Sequence, residues 1–189
     1  MTPSGTPPQD YGAALKLLHW LTAVLVATAW ILGTFGDELP KGPARETGLF
    51  VHISAGLAIL ALVLVRIPLR AAGSTPPPEP ARFGAMVLAW TVPASRVVQL
   101  VLYALLVAVP LLGILLQFAD GHALPLFGLA TIPSPLLADK ALADSLKEIH
   151  EILANTLLVL ALLHMAAALL HHWVIRDETL IRMLPRPRR

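Results

Sequence analysis

Four long apolar runs, at residues 15–35, 49–69, 97–119 and 149–174, dominate the pattern of this chain. Each reaches the length of about 20 residues that a helix needs to cross the hydrocarbon core of a bilayer. Helices are the expected spanning elements, because an open sheet would leave backbone groups unpaired in lipid. Gly36, Pro40, Gly42 and Pro43 end the first run, and Gly73 with Pro76, Pro77, Pro78 and Pro80 separates the second from the third. The predicted fold is an all-α bundle of four transmembrane helices, built as two hairpins in one integral membrane domain over residues 1–189. Residues 83–93 are apolar but too short to cross, and with Trp90 they suit an interfacial segment or an N-terminal extension of the third helix. Pro110 and Gly113 are candidates to kink that helix.

Composition agrees: 56% of residues are hydrophobic and 14% charged, which excludes an ordinary soluble domain of this length. No cysteine is present, which rules out disulfides, thiolate metal sites, iron–sulfur ligation and covalently attached haem. The N-terminal segment MTPSGTPPQD has no basic n-region, so the first apolar run is expected to be retained rather than cleaved as a signal.

Four spans put both termini on one side, and the charges choose which. Lys16, Arg66, Arg70, Arg82, Arg96, Arg176, Arg182, Arg186, Arg188 and Arg189 lie toward the terminal side; the opposite side holds Lys41, Arg45, Lys140 and Lys147. The positive-inside rule then predicts cytoplasmic termini. The net charge of +2 records this asymmetry, and the closing RMLPRPRR is expected to meet anionic headgroups rather than nucleic acid.

Four of the seven histidines, His19, His52, His150 and His164, fall in or at the mouth of the apolar runs, where a polar ring is costly and marks a functional position by default. The ordinary alternative is a ring hydrogen-bonded to a neighbouring helix carbonyl. His150 and His164 are 14 residues apart, close to four turns, so they face one way and stand ~21 Å apart along the helix. The first helix enters from the terminal side and places His19 at inner depth; the second enters from the opposite side and places His52 at outer depth. Depth therefore pairs His19 with His164 and His52 with His150. Zinc would call for four protein or water ligands. Two imidazoles fit the axial positions of a haem whose macrocycle supplies the other four nitrogens, an arrangement that carries electrons and leaves no site for oxygen. Small residues beside the ligands, Ser54, Ala55, Gly56 and Ala166, Ala167, Ala168, would admit a flat ring, although they also serve helix packing.

The chain resembles the bacterial di-haem cytochrome b561 family over about Tyr11 to Pro185. The resemblance rests on His19-Trp20, the run from His52 through Ser54 to Gly56, Val65-Arg66, the proline connector from Thr75, and Val109-Pro110 with Gly113. In the fourth helix it rests on Ser145-Leu146-Lys147, His150-Glu151, Leu153-Ala154-Asn155 and His164 through His171-His172, followed by Arg176-Asp177. It implies a bacterial inner-membrane protein with two b haems whose iron is held by His19, His52, His150 and His164. The activity it implies is superoxide oxidation outside coupled to ubiquinone reduction inside, or, as the alternative, a membrane subunit passing electrons between a partner redox protein and the quinone pool. At Gln99 many members of the family are expected to have a histidine. The departure leaves the ligands intact and bears on any cofactor or quinone contact from the third helix.

His171, seven residues beyond His164, projects about 20° from it on an ideal helix and is a candidate partner for a quinone carbonyl, with Trp20 and Lys16 as pocket walls. Arg66, Arg70 and Arg176 are candidate propionate contacts, with snorkelling as the competing explanation. Lys147 and Arg45 are candidates for the approach of superoxide outside. His172 is expected at the interface, and His122 in the outer loop receives no role.

Overall fold

The computed structural model describes residues 10–73 and 85–185, with residues 85–92 described in backbone only. The Thr75 to Pro80 connector, Arg82, Arg186, Arg188, Arg189, the first nine residues and the side chain of Trp90 lie outside the described residues. Among the described residues, four helices are long and apolar enough to cross a membrane. These are α1 (Ala13–Phe35), α2 (Pro43–Ala72), α3 (Ala85–Ala119) and α4 (Lys140–Leu170). All four begin earlier than the apolar runs, because caps and amphipathic ends extend a helix beyond the hydrocarbon. Gly42 at φ 111° turns the chain into α2, whose first residue is Pro43, a position that needs no N–H partner. At α4 the carboxylate of Asp139 caps the N-terminus by accepting from the Leu142 N–H. The segment around Trp90 is the extension of α3, which stays α-helical through Pro93 and Pro110.

α1 packs along α2 and α3 along α4, with α2 bridging to α3, so the bundle is two hairpins, as the breaks predict. α1 meets α4 only sparsely, which leaves a seam between the first hairpin and α4. The core is a mid-bundle layer of Ile59, Val63, Leu105, Leu106 and Leu157, with Leu25, Val26, Tyr103, Leu153 and Leu160 packed on it. Large apolar side chains elsewhere, among them Leu17, Val24, Leu64, Leu100 and Leu163, point outward, as lipid-facing positions must.

The loop between α3 and α4 is built rather than slack. β1 (Leu124–Leu126) and β2 (Ala130–Ile132) pair antiparallel around a turn in which Phe127 and Gly128 take positive φ. The loop is closed by the Asp139 N–H on the Ala119 carbonyl and by the Ser134 hydroxyl on the Phe118 carbonyl, both at 2.9 Å. At the other end, α4 opens into one turn of π-helix (His171–Ile175), and Arg176 in the left-handed region turns the chain back. The returning segment is held on α1: the Trp20 indole N–H donates to the Met183 carbonyl at 2.9 Å and the Lys16 ammonium to the Leu184 carbonyl at 3.2 Å.

Candidate functional site

The two predicted histidine pairs form. The rings of His52 on α2 and His150 on α4 have centroids 6.1 Å apart, and those of His19 on α1 and His164 on α4 lie 6.4 Å apart. The interplanar angles are 71° and 78°. Both pairs straddle the seam that α4 leaves against the first hairpin. Two imidazoles bonded to opposite sides of one metal ion at about 2 Å each, plus a ring radius on either side, give a centroid separation of about 6 Å. The pairs match that spacing at both depths.

Seven residues make nearly two turns, or about 10 Å of rise. On that spacing Val26 is midway between His19 and Gly33, Ile59 between His52 and Arg66, Leu106 between Gln99 and Gly113, and Leu157 between His150 and His164. The packed core therefore lies between the two histidine layers. Each helix contributes one residue to each layer. The layer distant from the termini has Gly33, His52, Gly113 and His150; the terminal-side layer has His19, Arg66, Gln99 and His164.

The glycines are not incidental. A Cβ on Gly33 would come within 2.9 Å of His52 Cε1, and one on Gly113 within 3.2 Å of His150 Cε1. One turn before each glycine a backbone carbonyl is engaged. His52 Nδ1 lies 2.8 Å from the Ala29 oxygen and His150 Nδ1 3.1 Å from the Val109 oxygen. A carbonyl only accepts, so each Nδ1 carries the proton and each Nε2 keeps its lone pair free to bind a metal. The ordinary alternative of a carbonyl-bonded histidine and the ligand reading thus coexist, as they do at many metal-binding histidines. Gly113 leaves space for an imidazole.

Arg66 does not snorkel. It is 9% exposed and lies over the Tyr103 ring, with its guanidinium carbon 5.5 Å from the centroid. Its Nε and the Tyr103 hydroxyl are buried with no hydrogen-bond partner among the described residues. Arg70, one turn nearer the helix end, donates to Gln99 Oε1 at 2.7 Å, so Gln99 anchors an arginine where family resemblance leads one to expect a histidine. The glycine cradles, the ring separations and the unpartnered Arg66 Nε together fit a flat, anionic, metal-bearing cofactor in the seam. No group of three or more His, Cys, Asp or Glu side chains suited to a metal ion occurs among the described residues.

The remaining predicted residues gather at the two ends of the bundle. Lys16, 7% exposed, and Trp20 use their donors on the returning C-terminal segment, and Lys16 also pairs with Asp10 at 3.5 Å. His171 closes α4 seven residues beyond His164, with α-helical backbone angles and its N–H on the Ala167 carbonyl, and the π turn opens from there. Its Nδ1 is 2.6 Å from Asp177 Oδ2. Burial alone would raise the Asp177 carboxyl, but hydrogen bonds from His171 and Thr179 hold it below the ordinary carboxylate value. Arg176 serves as the left-handed turn residue. At the other end, Arg45 and Lys147 converge on one carboxylate, Asp37, at 3.9 and 4.0 Å, and Lys147 also reaches Glu151 at 3.8 Å. Arg45 further donates to the Asp37 carbonyl. His122 pairs with Asp120 in the loop at 3.2 Å.

Four spanning helices around a haem-compatible seam define a membrane-embedded electron-transfer cytochrome. The family model for prokaryotic cytochrome b561 matches residues 10–186, and the chain belongs to that family, which binds haem b. A Yersinia pestis protein named probable superoxide oxidase CybB is 36% identical over 173 residues, covering 90% of this chain and 93% of that protein. Two proteins of Escherichia coli (strain K12) are similar as well. Cytochrome b561 homolog 1 is 34% identical, over 89% of this chain and 93% of its own length. Cytochrome b561 homolog 2 is 32% identical, over 94% and 92%.

Proposed function

We propose that the chain holds two b haems, one between His19 and His164 and one between His52 and His150, and carries electrons across the bacterial inner membrane from superoxide to ubiquinone. The observation that carries this reading is the pair of imidazole pairs at two depths, each at the spacing of axial ligands. Haem held by these four histidines would supply one-electron transfer chemistry. The excess of Lys and Arg toward the terminal side supports cytoplasmic termini, which puts the His52–His150 layer outside.

The chain's own residues supply the rest. The Ala29 and Val109 carbonyls orient the outer ligands, and the layer around Leu106 and Leu157 keeps water from the space between the sites. Arg45 and Lys147 provide local positive charge at the outer mouth. At the inner end, His171 presents Nε2 as the partner for a quinone carbonyl, with Asp177 holding its other nitrogen. Trp20 and Lys16 wall the same end through the returning segment. In balance, two superoxide anions give up one electron each and become dioxygen, while one quinone takes two electrons and two cytoplasmic protons. Moving an electron inward against the membrane potential costs about 2.3 kcal/mol per 100 mV, a load that a strongly reducing donor meets. The name of the Yersinia pestis relative supports superoxide as that donor.

The test is stopped-flow mixing of the purified oxidised protein with superoxide, with and without ubiquinone. Rapid haem reduction that quinone then reverses is the expected result. Slow reduction, by a protein that does turn over with a co-purified dehydrogenase, would establish the partner-subunit alternative.

A further inference from the structure

The two layers of the seam differ in a way that sets a direction. At the outer layer both imidazoles donate Nδ1–H to a backbone carbonyl, and α1 and α3 contribute only glycine. A hydrogen bond of that kind makes the imidazole a more basic ligand and favours the more positive oxidation state of the metal it holds. Among the described residues neither His19 nor His164 makes such a bond. Their layer instead contains Arg66, on the same face of α2 as His52 and four turns further along. By helix register Arg66 stands at the depth of His19 and His164, on the terminal side of the packed layer of Ile59 and Leu157. Among the described residues no carboxylate pairs with it, its Nε has no hydrogen-bond partner, and it lies over the Tyr103 ring. A buried cation so placed is expensive in a membrane and calls for a function.

We propose that Arg66 sets the redox potential of the inner site, making it the better electron acceptor of the two, so that transfer from the His52–His150 site to the His19–His164 site runs downhill. A fixed positive charge opposes the oxidised state of a nearby metal centre, which is one unit more positive than the reduced state, and in a low-dielectric layer it is weakly screened. The outer site has carbonyl-bonded ligands, and the cations nearest it along the helices, Lys147 and Arg45, are solvent-accessible and paired with Asp37 and Glu151, so it is displaced the other way. One electron leaves the outer site oxidised and the inner site reduced, with no bond made and no proton moved. The gradient opposes the membrane potential, which would otherwise hold electrons at the outer site. The inference rests on the two-haem reading and not on the identity of the electron donor.

The experiment is a spectroelectrochemical titration of the full-length holoprotein in nanodiscs, with His150→Ala used to identify the inner wave. In the wild type the inner wave is expected at the higher potential. Arg66→Gln is expected to shift the electron equilibrium between the sites about tenfold toward the outer one, lowering the inner wave by about 59 mV for a one-electron couple and leaving the outer wave in place. Arg66→Lys, which retains the charge, is expected to keep the wild-type order. Coincident or reversed waves in the wild type overturn the proposal, even if the Gln variant fails to assemble. An Arg66→Gln protein with both waves unmoved, or both moved equally, overturns it too. A single haem by pyridine haemochrome would instead remove the two-haem reading on which the proposal stands.

Discussion

His52 on α2 is placed by two residues of α1 one turn apart: its Nδ1 lies 2.8 Å from the Ala29 carbonyl oxygen, and its Cε1 lies 2.9 Å from where a Cβ on Gly33 would stand. His150 repeats the arrangement against Val109 and Gly113 of α3. Each of these two histidines is thus oriented by the backbone of the helix that precedes its own. A Cβ at 2.9 Å from a ring carbon is a contact that real structures avoid, so Gly33→Ala must tilt His52 or spread α1 from α2. The expected outcome is loss or spectral conversion of the outer haem with the inner one retained. Gly113→Ala, whose Cβ would meet His150 at 3.2 Å, is expected to produce a smaller shift of the same kind. Low-temperature reduced-minus-oxidised spectra of the two variants check both, and unaltered spectra in each would show that the glycines serve only helix packing.

The ligand pairs make a second prediction. Removing one imidazole leaves a vacant axial position, so His19→Ala and His164→Ala should affect the same haem, and His52→Ala and His150→Ala the other. Pyridine-haemochrome analysis with electron paramagnetic resonance sorts the four variants into two classes of two. Any other grouping breaks the assignment of pairs.

The spans and histidine pairs were legible because a bilayer imposes a length and a helix imposes a period. His150 and His164 share a face by counting alone, and depth then selects their partners. The same count of 14 residues joins His19 to Gly33, His52 to Arg66 and Gln99 to Gly113, a signal present in the sequence but carried by residues that do not announce chemistry. The cradle itself was not legible, since which carbonyl a ring meets depends on helix rotation, which hydrophobic pattern specifies only coarsely. The β1–β2 hairpin has strands of three residues, too short for alternation to show. The π turn that opens at His171 and brings Asp177 back to its ring has no signature in the apolar pattern, and the fold-back of Met183 and Leu184 onto Trp20 and Lys16 is a contact across more than 160 residues that local pattern cannot encode.

The His171–Asp177 contact yields a pH-dependent prediction. The folded-state pKa of Asp177 lies below its ordinary value of 3.8, so the carboxylate form is favoured in the folded protein. The stability it adds is fully present above pH 3.8 and is lost as the pH falls through the lower folded-state value. Asp177→Asn should therefore cost about 1 to 2 kcal/mol near neutral pH, the scale of a hydrogen bond to a charged group. Thermal melts of the two proteins should differ by a constant amount between about pH 5 and 7, and should begin to converge as the pH falls below 3.8 and through the lower folded-state value. A difference that stays constant into acid would mean the carboxylate charge is not what holds the turn.

At the end of the bundle away from the termini, proposed to face outward, Arg45 and Lys147 are offset by a shared carboxylate, and this makes Asp37 the informative residue. It is 80% exposed on its side chain and stands 3.9 and 4.0 Å from the two cations, with Glu151 at 3.8 Å from Lys147. The cations therefore act on an incoming anion through a field that Asp37 partly cancels, and bulk steering is weak. Lys147→Ala removes positive charge three residues before ligand His150 and should slow reduction of the outer haem by superoxide. Asp37→Asn should speed it, by a comparable factor of a few-fold, since a unit charge at 4 Å in water is worth about 1 kcal/mol. Both effects should shrink as ionic strength rises from about 0.1 to 1 M, where the screening length falls from about 10 to 3 Å. A neutral reductant should show neither. Stopped-flow rates for the two variants at both salt concentrations provide the check. Equal rates for wild type and both variants at low salt would place the point of anion approach elsewhere on the outer surface.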